Sequence, residues 1–299
     1  MEFKKYQHVC RYGTVETEGI LDGICAIMPK IDGTNASVWL DSDGNICCGS
    51  RNRELESGRD NAGFYSFVMS SLGEPIRRFL NDHPNLRLYG EWLVPHSIKD
   101  YKDDAWKKFY VFDVIYENEC YVHPFDYMPK LEKYGVDYIP VVAWIESPTI
   151  EDLKMFATNN KYLMKDGCIG EGVVIKNYDY KNPYGRIVWA KIINDEFKEV
   201  KKVKSQTKQP KDVDVEQSIA LRYCTDALIN KEYAKIMNDT PDIERRILIP
   251  KLIEMVFHSI VVEDMYDICK QYKMPTISFK ALKNECIKRI KEVKVDLFV

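Results

Sequence analysis

The first candidate for chemistry is a lysine that lies where an apolar segment meets a turn. Residues 29–35 read Pro-Lys-Ile-Asp-Gly-Thr-Asn, and Ile27 and Met28 precede them. Apolar neighbours can partly desolvate the Lys30 ammonium, which lowers its pKa from about 10.4 and frees a nucleophilic amine. Gly33 would let the backbone come close to a bound nucleotide. Taken alone, the stretch fits a nucleophilic lysine and a plain turn before a strand equally well.

Charged and aromatic residues in strand-like surroundings form a second group of candidates. A glutamate among apolar residues needs a partner when it is buried. An aromatic strand belongs to a core by default, although one of its rings could support a purine. Each feature is weak on its own. In chain order the candidates are Arg51, Glu91 in Tyr-Gly-Glu, Phe112 in Phe-Tyr-Val-Phe-Asp, Glu171 and Lys176 in Glu-Gly-Val-Val-Ile-Lys, and Lys191.

Together, the order and spacing of these features resemble the motifs of the covalent nucleotidyltransferases, the ATP-dependent polynucleotide ligases and mRNA capping enzymes. The series runs K-x-D-G-x-N, S-R, Y-G-E, F-D, E-G-x-V-x-K and a strand lysine, over about residues 25–200. Asn35 ends the first motif, where DNA ligases and capping enzymes usually carry arginine. This asparagine and the helical C-terminal region resemble the RNA ligase 2 family, because the other groups normally append a β-rich OB-fold.

The resemblance implies a role for each position. Lys30 would be the nucleophile that attacks the α-phosphorus of ATP and forms a lysyl-AMP phosphoramidate. The other positions would hold the nucleotide, the metal or the RNA end. Asp32 and Asn35 would organise metal, ribose or phosphate, Arg51 would contact phosphate or the terminal RNA nucleotide, Glu91 would hold the ribose hydroxyls or a metal, Phe112 would stack on adenine, Glu171 would bind metal, and Lys176 and Lys191 would neutralise phosphate charge.

The cofactors that the resemblance implies are ATP, as the AMP donor, and Mg²⁺ or Mn²⁺. The metal ligands it implies are Asp32, Glu91 and Glu171. The sequence departs from the family pattern in one place, because the last motif usually has two lysines separated by one residue, whereas two isoleucines follow Lys191. Lys198 and Lys201 are the candidates to replace the missing lysine.

The function implied by the resemblance is an ATP-dependent RNA ligase that joins 3′-hydroxyl and 5′-phosphate ends at nicks in duplex RNA, as in RNA repair. An ATP-dependent DNA ligase, a capping-type guanylyltransferase, and a non-catalytic nucleic-acid-binding protein with the same fold are the alternatives. Other nucleotide sites find no support, since the sequence has no Gly-Lys dipeptide for a Walker A loop and no G-x-G-x-x-G. The five histidines are scattered without a metal motif and are interpreted as structural or surface residues.

Hydrophobic patterning predicts that strands dominate residues 20–193. Two helices are predicted, one over residues 61–80 and one from Thr149, where Asp152 completes a capping box, to about residue 160. Strands and helices without regular alternation indicate an α+β fold. The resemblance makes its sheet antiparallel, as in a nucleotidyltransferase domain. The predicted strands cover residues 36–40, 46–48, 86–94, 108–116, 138–142, 172–177 and 186–192.

Helical spacing replaces the strand pattern after about residue 212. Pro250 predicts a kink or a new helix, and two more helices are expected over residues 261–272 and 278–293. We therefore expect an adenylyltransferase domain over residues 1–204 and an all-helical, RNA-binding domain over residues 205–299. Residues 198–211, here called the lysine run, hold six lysines and fit either a solvated linker or a phosphate-contacting segment. The predicted RNA contacts are Arg51, Lys201, Lys202 and Lys204.

Composition and charge define the class of protein. The chain has 299 residues, of which 45% are apolar, enough for one large domain or two ordinary ones. The net charge of −3 argues against binding nucleic acid through bulk charge, but allows a local basic groove. Nine cysteines without a C-x-x-C pair predict reduced thiols and a cytoplasmic protein, in the host cytoplasm if the chain is viral. RNA is the expected partner, no membrane contact is expected, a monomer is the simplest interpretation, and protein partners are not indicated.

Overall fold

The computed structural model describes residues 1–194 and 214–298. The chain divides into two compact units, Met1–Asn194 and Asp195–Val299. Strands and helices mix in the first unit, and the described part of the second unit contains helices without strands, which confirms the predicted α+β class with a helical C-terminal region. The predicted domain boundary after residue 204, together with Lys198, Lys201, Lys202 and Lys204, lies outside the described residues.

Two five-stranded sheets form the first unit. The first sheet contains β1 (Cys10–Arg11), β2 (Ile24–Lys30), β8 (Ala143–Glu146), β9 (Gly172–Lys176) and β10 (Ala190–Ile193). The second contains β3 (Thr34–Leu40), β4 (Ile46–Ser50), β5 (Glu54–Leu55), β6 (Leu86–Trp92) and β7 (Phe109–Tyr116). The strand orders are β1-β10-β9-β2-β8 and β5-β4-β3-β6-β7. Among these strands the neighbours run antiparallel, apart from the parallel pair β1 and β10.

Helices cover one face of each sheet. The second sheet shares a core with α1 (Phe64–Met69), α2 (Glu74–Asp82) and α3 (Pro124–Tyr134), and α4 (Ile150–Thr158) packs on the first sheet. The opposite faces meet in a separate aromatic cluster, where Phe112 of β7 and Val174 of β9 pack beside Trp189. This arrangement leaves the ends of β2, β3, β6 and β9 to hold polar groups between the two sheets.

The helix predicted over residues 61–80 is interrupted. Between α1 and α2 the chain is extended at Ser70 and forms a short 3₁₀ turn over Ser71–Gly73. A Cβ atom on Gly73 would lie 2.2 Å from the Val68 carbonyl oxygen, so the glycine allows this tight return of the chain. Glu74 then begins α2, with Pro75 in its first turn, a position that needs no backbone donor.

The strand predicted over residues 138–142 is wrong, and β8 lies directly after it. Tyr138 makes only an isolated bridge to Val111, and the Ile139 N–H donates to the Val111 carbonyl at 2.8 Å. Pro140 has no N–H and cannot continue a ladder, which accounts for the displacement. The last predicted strand is also shorter than expected and begins at Ala190. Helix α3 was not predicted, whereas the capping box at the start of α4 is confirmed.

The described part of the second unit contains five α-helices around one core. They are α5 (Val215–Tyr223), α6 (Asp226–Asp239), α7 (Arg245–Ser259), α8 (Met265–Gln271) and α9 (Phe279–Val293). Pro250 lies inside α7, so the new helix predicted there is wrong, and a π-helical turn over Ile260–Asp264 precedes α8. Within the two described ranges, no helix is long and apolar enough to cross a membrane.

Candidate active site

Lys30 lies at the end of β2, beside the start of β9. Its main chain pairs with Gly172, and its Nζ atom lies 2.5 Å from Oε2 of Glu171. The Lys30 side chain is 22% exposed and that of Glu171 is 4% exposed, so the pair is within reach of a ligand but largely shielded from water. The strand pairing of β2 and β9 therefore brings together the two residues that the sequence placed 141 positions apart.

Asn160 fastens this end of β2 to β9. Its Nδ2 atom donates to the Gly172 carbonyl at 2.8 Å and to the Lys30 carbonyl at 3.5 Å, and its side chain is buried. In the sequence, Asn160 marks only the predicted end of the helix that begins after Thr149. An isolated asparagine after a helix carries no signal for such a long-range contact, so the residue was missed.

The turn after Lys30 is held from one side by the loop that follows β6. The buried Asp32 carboxylate accepts hydrogen bonds from the N–H groups of Ser97 at 2.8 Å and Ile98 at 2.9 Å. Its Oδ1 atom lies 3.0 Å from Nδ1 of His96, and the Asp32 N–H donates to the Tyr101 hydroxyl at 2.7 Å. The predicted role of Asp32 toward metal, ribose or phosphate stays a prediction, and these protein contacts were not foreseen.

Glu91 of β6 holds the same turn from the other side. Its Oε1 atom accepts a hydrogen bond from the Gly33 N–H at 3.0 Å. Burial raises the pKa of Glu91 to about 7; Lys30 and the Gly33 N–H oppose that rise, whereas Glu171 and Asp32 add to it. The carboxylates of Glu91, Glu171 and Asp32 therefore lie near one lysine, Lys30. This local excess of negative charge favours the binding of a cation.

Asn35 and Gly33 also lie where the turn after Lys30 meets the second sheet. Asn35 of β3 is partly buried and stands opposite Glu91 in the β3–β6 register. A Cβ atom on Gly33 would lie 2.5 Å from the Trp92 carbonyl oxygen. Gly33 therefore allows the turn to come close to β6. Its predicted approach to a nucleotide stays a prediction.

Phe112 lies on β7, in the aromatic cluster between the two sheets. Its ring is 4.9 Å from that of Tyr6, and it packs in the same cluster as Val174 of β9. The Phe112 side chain is only partly buried. A partly exposed aromatic ring is compatible with the predicted stacking on a purine, which stays a prediction.

Lys176 points into the protein interior. Its Nζ atom lies 2.8 Å from Oδ1 of Asp113 and donates to the Phe112 carbonyl at 2.6 Å, and the side chain is 2% exposed. Burial lowers the pKa of Lys176, and Asp113 opposes that shift. Asp113 also accepts hydrogen bonds from the Tyr6 hydroxyl and, at 3.2 Å, from Trp189 Nε1. This geometry favours a supporting contact beneath Phe112 over the predicted phosphate contact.

The remaining predicted cations differ in their placement. Lys191 of β10 stands opposite Val174, which in turn stands opposite Met28, so Lys191 shares a sheet face with Lys30. Arg51 is exposed after β4, with Nη2 3.4 Å from Nδ1 of His8. The structure therefore places Lys191 on the side of the candidate site and Arg51 at the surface.

The metal assignment has partial geometric support. Within residues 1–194 and 214–298, no three His, Cys, Asp or Glu side chains come close enough to form a metal cage. Mg²⁺ is commonly held by one or two carboxylates together with substrate phosphates, rather than by an all-protein cage. Glu171 and Glu91, as hard oxygen donors beside Lys30, fit that mode of binding.

The chain is similar to known RNA ligases in sequence and in fold. The family model described as RNA ligase matches residues 24–193, which is more than half of the chain. Among solved structures, a ligand-free variant of Naegleria gruberi RNA ligase is 23% identical, with a TM-score of 0.50 over 65% of this chain and 56% of that one. Two further variants of that ligase, one with ATP and manganese and one with AMP and manganese, are each 21% identical with a TM-score of 0.50. They cover 65% of this chain, and 56% and 57% of their own.

These structural matches establish the fold over 65% of the chain. The chain spans little more than half the length of the Naegleria structures, and no curated protein matches it. The family model covers the strands that carry Lys30, Glu91 and Phe112, and it includes Glu171, which directly precedes β9. By this match, the chain belongs to the RNA ligase family.

Proposed function

We propose that this protein is an ATP-dependent RNA ligase in which Lys30 takes AMP from ATP. The observation that carries the proposal is the position of Lys30 at the end of β2, partly exposed, 2.5 Å from Glu171 and close to Glu91. Such a lysine can be reached by a nucleotide and is held in one orientation by a carboxylate. Family membership and the Naegleria ligase variants with ATP and manganese support the same conclusion.

In the first step, the Lys30 Nζ atom attacks the α-phosphorus of ATP. A P–N bond forms, the bond from the α-phosphorus to the bridging oxygen breaks, and pyrophosphate leaves. An ammonium has no lone pair, so Lys30 must lose a proton before it attacks, and Glu171 Oε2 is the carboxylate in direct contact with it. Phe112 would stack on the adenine, and Lys191 would neutralise phosphate charge on the same sheet face.

A divalent cation fits the negative charge around Lys30. Glu171 and Glu91 would hold Mg²⁺ or Mn²⁺ with the substrate phosphates, where the ion would offset the charge that develops on the triphosphate. The carboxylate of Glu91 has a pKa of about 7, so a cation would also favour its ionised form.

The later steps follow from the chemistry of lysyl-AMP. An RNA 5′-phosphate oxygen attacks the phosphorus of the adduct, the P–N bond breaks, and AMP moves to the RNA end. A 3′-hydroxyl then attacks the activated 5′-phosphate, a phosphodiester forms, and AMP leaves. We propose nicked duplex RNA as the substrate, with the helical unit contributing backbone contacts.

Two assays test the proposal. Wild-type protein with α-labelled ATP and Mg²⁺ should become labelled and should seal a nicked RNA duplex, whereas Lys30→Ala should do neither. Lys30→Ala should still seal RNA that already carries a 5′-adenylyl group, because that substrate bypasses the lysine. Lys154→Ala, which removes an exposed lysine of α4, is the matched control.

A panel of substrates separates the ligase from its rivals. Better sealing of nicked DNA than of nicked RNA would indicate a DNA ligase. Labelling by GTP and transfer to triphosphate-ended RNA would indicate a capping enzyme. RNA binding without any label transfer would indicate a non-catalytic protein and would contradict the proposal.

A further inference from the structure

We propose that His96 is a positioning residue for adenylyl transfer, which acts by holding the Asp32 carboxylate and thereby the turn that follows Lys30. The inference rests on the proposed function for its kinetic consequence. His96 lies in the loop after β6, five residues after Glu91, and belongs to none of the motifs. That loop nevertheless contacts the turn beside the nucleophile.

The burial of His96 is the first argument. Its side chain is 1% exposed, and its Nδ1 atom lies 3.0 Å from Oδ1 of Asp32. An ionised carboxylate only accepts hydrogen bonds, so Nδ1 must carry the hydrogen. In the part of the chain that the structure describes, the buried Nε2 atom has no hydrogen-bond partner. A buried polar atom without a hydrogen bond lowers the stability of a protein by about 1–3 kcal/mol. Packing alone therefore does not explain a histidine at this position.

The Asp32 contacts restrain the turn that follows Lys30. Its carboxylate meets three donors from one loop segment, the ring of His96 and the N–H groups of Ser97 and Ile98. One residue later, the Gly33 N–H donates to Glu91. The turn is therefore attached to the loop on one side and to β6 on the other, immediately after the nucleophile.

The position of this turn affects the reaction because it directly follows the nucleophile. Lys30 must place its Nζ atom in line with the bond that breaks, and displacements of about 1 Å can cost about 100-fold in rate. Removal of the His96 donor leaves one oxygen of a buried carboxylate less well satisfied and lets the turn shift. The expected defect is in the rate of AMP transfer at saturating ATP, because the His96 side chain is 1% exposed and would act through Asp32 rather than through a direct contact with ATP.

Three substitutions at one position test the assignment. Asparagine can place an amide N–H near the position of Nδ1, glutamine reaches instead toward that of Nε2, and alanine offers neither. His96→Ala should lower the maximal rate of lysyl-AMP formation by at least about tenfold, with the half-saturating ATP concentration changed by less than about threefold. His96→Asn should recover to within about threefold of wild type, and His96→Gln should resemble alanine. The matched control is His258→Ala, at an exposed histidine of the second unit.

Backbone hydrogen exchange over residues 94–100 provides a readout that does not need activity. The N–H groups of Ser97 and Ile98 should exchange slowly in wild type and His96→Asn, and faster in His96→Ala and His96→Gln. An unchanged rate in His96→Ala, or asparagine no better than glutamine in both readouts, would overturn the inference. If the wild type forms no adduct, the proposed function fails, and hydrogen exchange still decides whether His96 holds the turn. If His96→Ala does not fold, the comparison of asparagine with glutamine decides.

Discussion

Replacing Lys176 with methionine should markedly lower the free energy of unfolding of the first unit. The family motif, in contrast, assigns Lys176 to phosphate binding. The Lys176 ammonium and the Asp113 carboxylate are 2.8 Å apart, with side chains 2% and 0% exposed. Methionine fills a similar volume but leaves the Asp113 charge without its cationic partner. Removal of the hydrogen bond to the Phe112 carbonyl, 2.6 Å long, adds to the effect.

The magnitude follows from the burial of the pair. Removing one partner of a buried ion pair typically costs about 3–5 kcal/mol, because the other charge remains in the interior. For a unit of this size, each kcal/mol lowers the melting temperature by about 2–4 °C, so the expected fall is roughly 6–20 °C. Removing both charges in Lys176→Met with Asp113→Asn should cost less than the sum of the two single changes, since neither group is left alone.

Tryptophan fluorescence during urea unfolding is the appropriate assay. All five tryptophans lie in the first unit, and Trp189 Nε1 donates to Asp113 at 3.2 Å. Lys154→Met, at an exposed lysine of α4, controls for the chemical change. Should Lys176→Met unfold within about 1 kcal/mol of wild type while its affinity for ATP falls, the buried pair would be unimportant and the predicted phosphate contact correct.

Three further results are expected. The folded-state pKa of Glu91, about 7, lies above its ordinary value of 4.5, so the folded protein binds more protons between these values and loses stability as the pH rises through them. Glu91→Gln should remove this loss and gain about 3 kcal/mol relative to wild type between pH 4.5 and 8, in urea unfolding followed by tryptophan fluorescence; equal pH dependence would contradict the assignment. Gly33→Ala, whose Cβ would meet the Trp92 carbonyl at 2.5 Å, should destabilise the first unit by about 1–3 kcal/mol and slow lysyl-AMP formation, and a neutral effect in both assays would refute that close approach. Alanine at the three lysines of the lysine run assigned to RNA should reduce the slope of log affinity against log salt by about 0.7–0.9 for each RNA phosphate that is no longer neutralised, with lysyl-AMP formation nearly intact; an unchanged slope would indicate a linker.

The site residues that belong to a motif could be predicted from the sequence. Lys30, Glu91 and Glu171 each belong to a short pattern at a strand end, and the pairing of β2 with β9 and of β3 with β6 brings them together. Patterns of this kind fix which residues are present and roughly where a strand ends. They do not fix what each side chain contacts.

The residues that support the site could not be found in this way. Asp32 meets His96 across 64 positions and Tyr101 across 69, and Asn160 reaches Lys30 across 130. His96, Tyr101 and Asn160 are each a single polar residue outside a recognisable spacing, so only the folded chain shows their roles. Their signal in the sequence is no stronger than that of any buried polar residue.

Burial explains why the position of Lys176 was identified but not its contacts. Its place at the end of β9 follows from the motif, whereas its partner, Asp113, comes from the second sheet. The fold shows the same limit, since Gly73 interrupts a helix and Pro140 displaces a strand through close approaches and missing donors that periodicity does not register.

The most direct test of the central claim is to map the AMP adduct. Wild-type protein is incubated with ATP and Mg²⁺, digested, and examined by mass spectrometry for one adenylyl group on the peptide that contains Lys30. We expect a single modified residue, Lys30, and no adduct in Lys30→Ala under the same conditions. An unmodified wild-type protein, or an adenylyl group on another residue that persists in Lys30→Ala, would contradict it.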